Sequence, residues 1–109
     1  MLRRTFIGLV AGLLLSTASF AAYPERPITL VVAFAAGGPT DVIARIVAED
    51  MSKTLGQQIV VENTAGAGGT TATAKVAGVA ADGYTLIMGQ MGTHAAAPSL
   101  YASLKYNPI

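Results

Sequence analysis

The sequence predicts an α/β fold, a parallel sheet with flanking helices. Three observations carry that expectation. Short apolar runs rich in β-branched residues, Ile28–Phe34, Ile59–Glu62 and Tyr84–Met88, alternate with segments of helical character. The first run is apolar at nearly every position, as a strand buried on both faces of a parallel sheet would be. The links between runs are short, and short strand–helix–strand links imply right-handed crossovers.

The chain has 109 residues and begins with a segment that looks removable. Met1–Ala21 carries Arg3 and Arg4, then the apolar run Phe6–Leu15, then small residues ending in Ser19-Phe20-Ala21. That order is the layout of a cleaved signal peptide. A transmembrane anchor would need about 20 apolar residues, and this run is shorter. Residues 22–109 are then expected to form one small α/β unit. Without Arg3 and Arg4, acidic side chains outnumber basic ones by one. So even a balance gives no electrostatic footprint for nucleic acid or anionic lipid. No cysteine occurs, which excludes disulfides, thiolate metal sites and a lipid-modified cysteine.

The elements follow in order. Tyr23-Pro24-Glu25-Arg26-Pro27 is an extended entry, kept out of helix by its prolines. After the first strand come Ala35-Ala36-Gly37-Gly38 and then Pro39, well suited to the first helical position. Val42, Ile43, Ile46, Val47, Met51 and Leu55 recur at helical spacing and predict one buried stripe. Arg45, Glu49 and Lys53 fall on a solvated face, and Gly56 is placed to cap the helix. The strand Ile59–Glu62 leads into the glycine-bearing loop Asn63–Gly69 and a weaker helix, Thr71–Ala80. Asp82-Gly83 signals a turn before Tyr84–Met88. The segment Gly89–Thr93 and a last helix over Pro98–Leu104 complete the series.

Three loops, Ala35–Gly38, Asn63–Gly69 and Gly89–Thr93, each follow a strand and precede a helix. A parallel sheet puts all three at its carboxyl edge, where open α/β sheets bind ligands. Glycines there let backbone N–H groups approach a ligand, and the helix start behind them favours an anion. The same glycines would also serve tight turns alone. Candidate ligand contacts are Gly37, Gly38 and Thr40 in the first loop, and Gly66, Gly68 and Gly69 in the second. Thr93 and the single histidine, His94, belong to the third, with Gln90 and Thr70 as further donors. Asp41 reads either as a first-turn helix stabiliser or as a ligand contact. His94 reads either as a structural residue or as a ligand contact. No P-loop, dinucleotide fingerprint or nucleophile elbow is present, and one histidine without cysteine makes no ordinary zinc site. Nothing pairs a nucleophile with a base, so the expectation is binding without catalysis, cofactor or metal.

Several segments together resemble the Bug family, the periplasmic receptors of tripartite tricarboxylate transporters. They are Tyr23-Pro24-Glu25-Arg26-Pro27-Ile28-Thr29, Val31 through Asp41, Val61 through Gly69, Asp82-Gly83-Tyr84-Thr85-Leu86, Gly92-Thr93-His94-Ala95 and Pro98-Ser99-Leu100-Tyr101. The resemblance implies a two-domain, Venus-flytrap periplasmic-binding-protein fold that closes on a small mono-, di- or tricarboxylate. It also implies a monomer that delivers its acid to membrane permease subunits, with main-chain contacts from Ala36, Gly37, Gly38, Thr40 and Asp41. Gly66 to Gly69 and Gly92-Thr93-His94 would line the same cleft. This chain departs from the family at Ala33, where proline is usual, and at Thr64-Ala65, where an Arg-Pro pair is usual. Family members are close to three times as long. On that resemblance, residues 22–109 are expected to correspond to the amino-terminal part of the first domain, without the second. Two other readings stay open: a truncated product that binds nothing, and an exported enzyme acting on an anionic substrate.

Overall fold

The structure is a computed structural model that describes residues 21–109. The expected signal peptide lies outside the described residues, except for its last residue, Ala21. Three parallel strands form one sheet: β1 (Ile28–Val32), β2 (Ile59–Asn63) and β3 (Thr85–Ile87), in the order β2-β1-β3. Ile28 lies opposite Ile59, and Leu30 lies between Val61 and Leu86. The chain steps from β1 to one side for β2, then crosses back to the other side for β3. Strand order therefore reverses at β1.

That reversal decides where the helices lie. Crossovers of one hand, made in opposite directions, put their helices on opposite faces. Ile28, Leu30 and Val32 on one face of β1 pack in a cluster with Ala44 and Ala48 of α1 (Pro39–Leu55). Val31 and Ala33 on the other face pack with Ala72 and Val76 of α2 (Thr70–Ala77). The central strand is thus covered on both sides, which is why its run is apolar at nearly every position.

α1 starts at Pro39 as expected, and Gly56 closes it at φ 69°, donating its N–H to the Ser52 carbonyl at 3.0 Å. Its expected buried stripe is corrected. The buried positions are Asp41, Ala44 and Ala48, continued by half-buried Met51 and Leu55. Val42, Ile43, Ile46 and Val47 are exposed, Ile46 at 64%. The phase is set by the inward-turned Asp41 carboxylate and by alanines small enough to seat the helix against the sheet. Hydropathy weights valine and isoleucine above alanine and misses both causes.

Other boundaries shift less. β1 and β3 are shorter than their apolar runs, yet Met88 still donates its N–H to the Val31 carbonyl at 2.9 Å. The last helix, α3, spans Ala97–Leu100 and follows a π-turn at Gly92–Ala96, so it begins and ends before the expected Pro98–Leu104. At the amino end of the sheet, Tyr23 donates to the Gly83 carbonyl at 2.6 Å. Arg26 lies 3.9 Å from the Tyr84 ring centroid and pairs with Asp82. Among the described residues no helix is long and apolar enough to cross a membrane.

Candidate functional site

The three strand-to-helix loops lie at the carboxyl edge of the sheet, and they meet at Gly69. A Cβ built there would come within 2.6 Å of the Thr93 methyl, 3.0 Å of Phe34 and 3.2 Å of Ala33. Gly69 is buried at φ 88°, so its lack of a side chain lets the first and third loops close over the second. The structure thus gives this predicted site residue a packing role. Strand order reverses between β1 and β3, the place where open α/β sheets form their ligand crevice between the following loops.

In the first loop the donors are sorted. Gly37, at φ 85°, donates its N–H to the Asp41 carboxylate at 2.8 Å. Gly38 donates to the Ala35 carbonyl at 3.4 Å, and Pro39 has no N–H. Neither glycine N–H points to a ligand. The N–H groups of Ala36, Thr40 and Asp41 have no acceptor among the described residues. Two of these belong to the first turn of a 17-residue helix, whose dipole favours an anion. Ala36 is exposed and Thr40 half-buried, so both are reachable.

Asp41 is only 2% exposed and accepts from three donors. Besides Gly37, Arg45 donates from Nε at 3.0 Å and Asn63 from Nδ2 at 2.9 Å. The Arg45 guanidinium first, then the Gly37 and Asn63 donors, hold its carboxyl down from 3.8 to about 2. Asn63 also donates to the Phe34 carbonyl at 3.1 Å and accepts from Arg45 at 3.1 Å. This cluster braces the first loop against β2. Between its two sequence readings, the Asp41 side chain is an organiser of the loop, and its backbone N–H stays unfilled. The sequence reading missed the parts played by Arg45 and Asn63. The spacing of Asp41 and Arg45, four residues apart on a helix, was the available signal.

In the second loop, Gly66, Ala67, Gly68 and Gly69 all have positive φ. Gly68 lies under the Tyr101 hydroxyl, which donates to the Ala67 carbonyl at 3.3 Å. Gly66 sits beside Thr71, and Thr70 donates its hydroxyl to the Ala67 carbonyl at 2.8 Å. A groove of about 310 Å³ runs from this loop past Thr70, Thr71 and Ala74 to Lys105. Lys105 has no carboxylate partner among the described residues.

The third loop is built around Thr93, fully buried. Its hydroxyl lies 2.7 Å from His94 Nδ1, 3.3 Å from the Gln90 carbonyl and 3.4 Å from the Gln90 N–H. Thr93 is thus an internal brace, and Gln90 offers it main-chain groups. The His94 ring lies over Gly89, where a Cβ would stand 3.0 Å from Cε1. His94 Nε2 has no partner among the described residues, so the half-buried ring keeps one nitrogen for an incoming group. Among the described residues no three metal-ligating side chains gather.

An open parallel sheet covered by helices on both faces, with unfilled N–H donors and a tethered imidazole at its strand reversal, is an α/β arrangement of the periplasmic-binding-protein class. The chain belongs to the family described as "Tripartite tricarboxylate transporter family receptor", whose model matches residues 43–109. Protein BugT of Bordetella pertussis is 44% identical over 107 residues, covering 92% of this chain and 33% of BugT. MatC from Rhodopseudomonas palustris, solved with bound malate, is 55% identical with a TM-score of 0.76 over 79% of this chain and 29% of MatC. Another R. palustris protein, solved with adipate, is 44% identical with a TM-score of 0.77 over 80% of this chain and 29% of its own. This chain therefore spans about a third or less of the length of these relatives.

Proposed function

We propose that this chain supplies one wall of a periplasmic receptor that captures a small carboxylate for a tripartite tricarboxylate-type transporter. The observation that carries the reading is the set of unfilled N–H groups on Ala36, Thr40 and Asp41, beside the strand reversal. A carboxylate placed there would accept two or more N–H bonds at a helix start, with no side-chain cation required. His94 Nε2 across the crevice, and the Lys105 groove beside the second loop, would supply further donors. The malate and adipate held by its relatives make dicarboxylates the first class to test. Capture would end in closure of two domains on the acid, a population shift without bond chemistry, before delivery to membrane permease subunits. Export of the chain through Met1–Ala21 belongs to the same proposal.

The test is an NMR titration with malate and with adipate, paired with thermal melting. A single wall open to water is expected to bind on the order of 1 mM, or about 4 kcal/mol. The amide signals of Ala36, Thr40 and Asp41 should move, and the melting temperature should rise. Gly37→Val should abolish both responses, because a β-branched residue does not take φ 85° and the loop must move. A full response in that variant would remove the first loop from the anion site. No response in the wild type would favour a chain that binds nothing.

A further inference from the structure

We infer that Tyr106 is a positioning residue for the third loop, holding the π-turn that carries His94 by capping the Thr93 carbonyl. Within that turn Ala97 donates its N–H to the Gly92 carbonyl, five residues back. If the register continued, residue 98 would donate to Thr93, but Pro98 has no N–H. If the chain returns to four-residue register, the Thr93 carbonyl is the one passed over. Either way the backbone leaves it without a donor. Thr93 is also 0% exposed, so bulk water does not reach it. A buried carbonyl without a partner is unstable, and something must fill it.

Tyr106 does so. Its hydroxyl donates to the Thr93 carbonyl at 2.6 Å from thirteen residues away. It is the one long-range hydrogen bond to this turn among the described residues. The residue it holds is the one whose hydroxyl lies 2.7 Å from His94 Nδ1 and whose methyl packs at Gly69. The capped carbonyl, the Thr93 side chain and the imidazole thus form one connected unit. Nothing in this chain of contacts requires Tyr106 to touch a ligand. Its effect reaches the crevice through Thr93 and His94, and its consequence for affinity rests on the carboxylate reading above.

Tyr106→Phe removes only the hydroxyl. In ¹⁵N-labelled protein, the imidazole nitrogens of His94 and the amides of residues 92–96 are expected to shift, while those of Gly37 and Asp41 stay in place. Malate affinity should weaken by about three- to tenfold, the worth of one hydrogen bond. Pro98→Ala gives the turn a main-chain donor, so Pro98→Ala/Tyr106→Phe should lie closer to the wild type than Tyr106→Phe does. If Tyr106→Phe does not fold, the double variant should recover folding. Wild-type His94 signals in a folded Tyr106→Phe overturn the inference, and so does a double variant no better than the single one. If the wild type ignores malate, the carboxylate reading fails, yet the His94 signals still decide the role of Tyr106.

Discussion

Gly69 and Gly37 make a controlled pair for separating backbone strain from packing. Both have nearly the same positive φ, 88° and 85°. Alanine in that region costs about 1–2 kcal/mol from the Cβ–carbonyl clash alone. At Gly37 nothing lies within 4 Å of a built Cβ, so that cost should be nearly the whole effect of Gly37→Ala. At Gly69 the Cβ meets Thr93, Phe34 and Ala33 at 2.6, 3.0 and 3.2 Å. Thr93 cannot rotate away without breaking its hydrogen bonds to Gln90 and His94, and the Ala33 methyl is fixed by its backbone. Overpacking of this kind adds about 1–3 kcal/mol, giving about 2–5 kcal/mol for Gly69→Ala. With a urea m-value of about 1 kcal/mol/M for so small a unit, the two midpoints should separate by about 1–3 M. Equal midpoints would refute the idea that the three loops close on Gly69.

Two further outcomes follow from other parts of the fold. The carboxyl of Asp41 is lowered from 3.8 to about 2, so its stabilising effect is complete above about pH 4 and is lost as the pH falls through 2. Urea midpoints measured across that window should decline in the wild type, and Asp41→Asn should flatten this part of the slope while lowering stability above it. Ile46→Lys should change stability by no more than about 0.5 kcal/mol, since Ile46 is 64% exposed on α1. A loss of several times that size in urea unfolding would restore the stripe that hydropathy predicts.

The sheet was legible because β1 satisfies a demanding pattern. A strand covered by α1 on one face and α2 on the other must be apolar throughout, and few other segments look like that. The limits of α1 were legible for a local reason, Pro39 at one end and Gly56 at the other. Its rotation was not, because a buried aspartate rather than a hydrophobic residue sets it. The same holds at the carboxyl edge. Sequence placed the three loops together, since topology alone requires it. It could not separate Gly37 and Gly38, whose N–H groups turn inward, from Ala36, whose N–H does not. That distinction arises from contacts across the fold, with Asn63 22 residues from Asp41 and Tyr106 thirteen from Thr93.

These contacts also explain why so many glycines gather where few of them can donate to a ligand. Gly37 forms the bend that brings its N–H to Asp41, Gly69 makes room for neighbouring loops, and Gly89 seats the His94 ring. Each removes a side chain so that something else reaches its place. On the carboxylate reading, the groups left for an anion are main-chain donors beside the glycines, one imidazole nitrogen and the exposed Lys105 ammonium, with no buried cation among them. Such a wall would recognise a carboxylate group by hydrogen-bond geometry and be indifferent to the carbon skeleton behind it. On the proposed reading, discrimination between one acid and another must then come from groups facing this wall. Removing the main-chain N–H at Ala36 or Thr40 by proline should therefore weaken malate and adipate in equal proportion. Unequal losses would mean that this edge reads the skeleton as well.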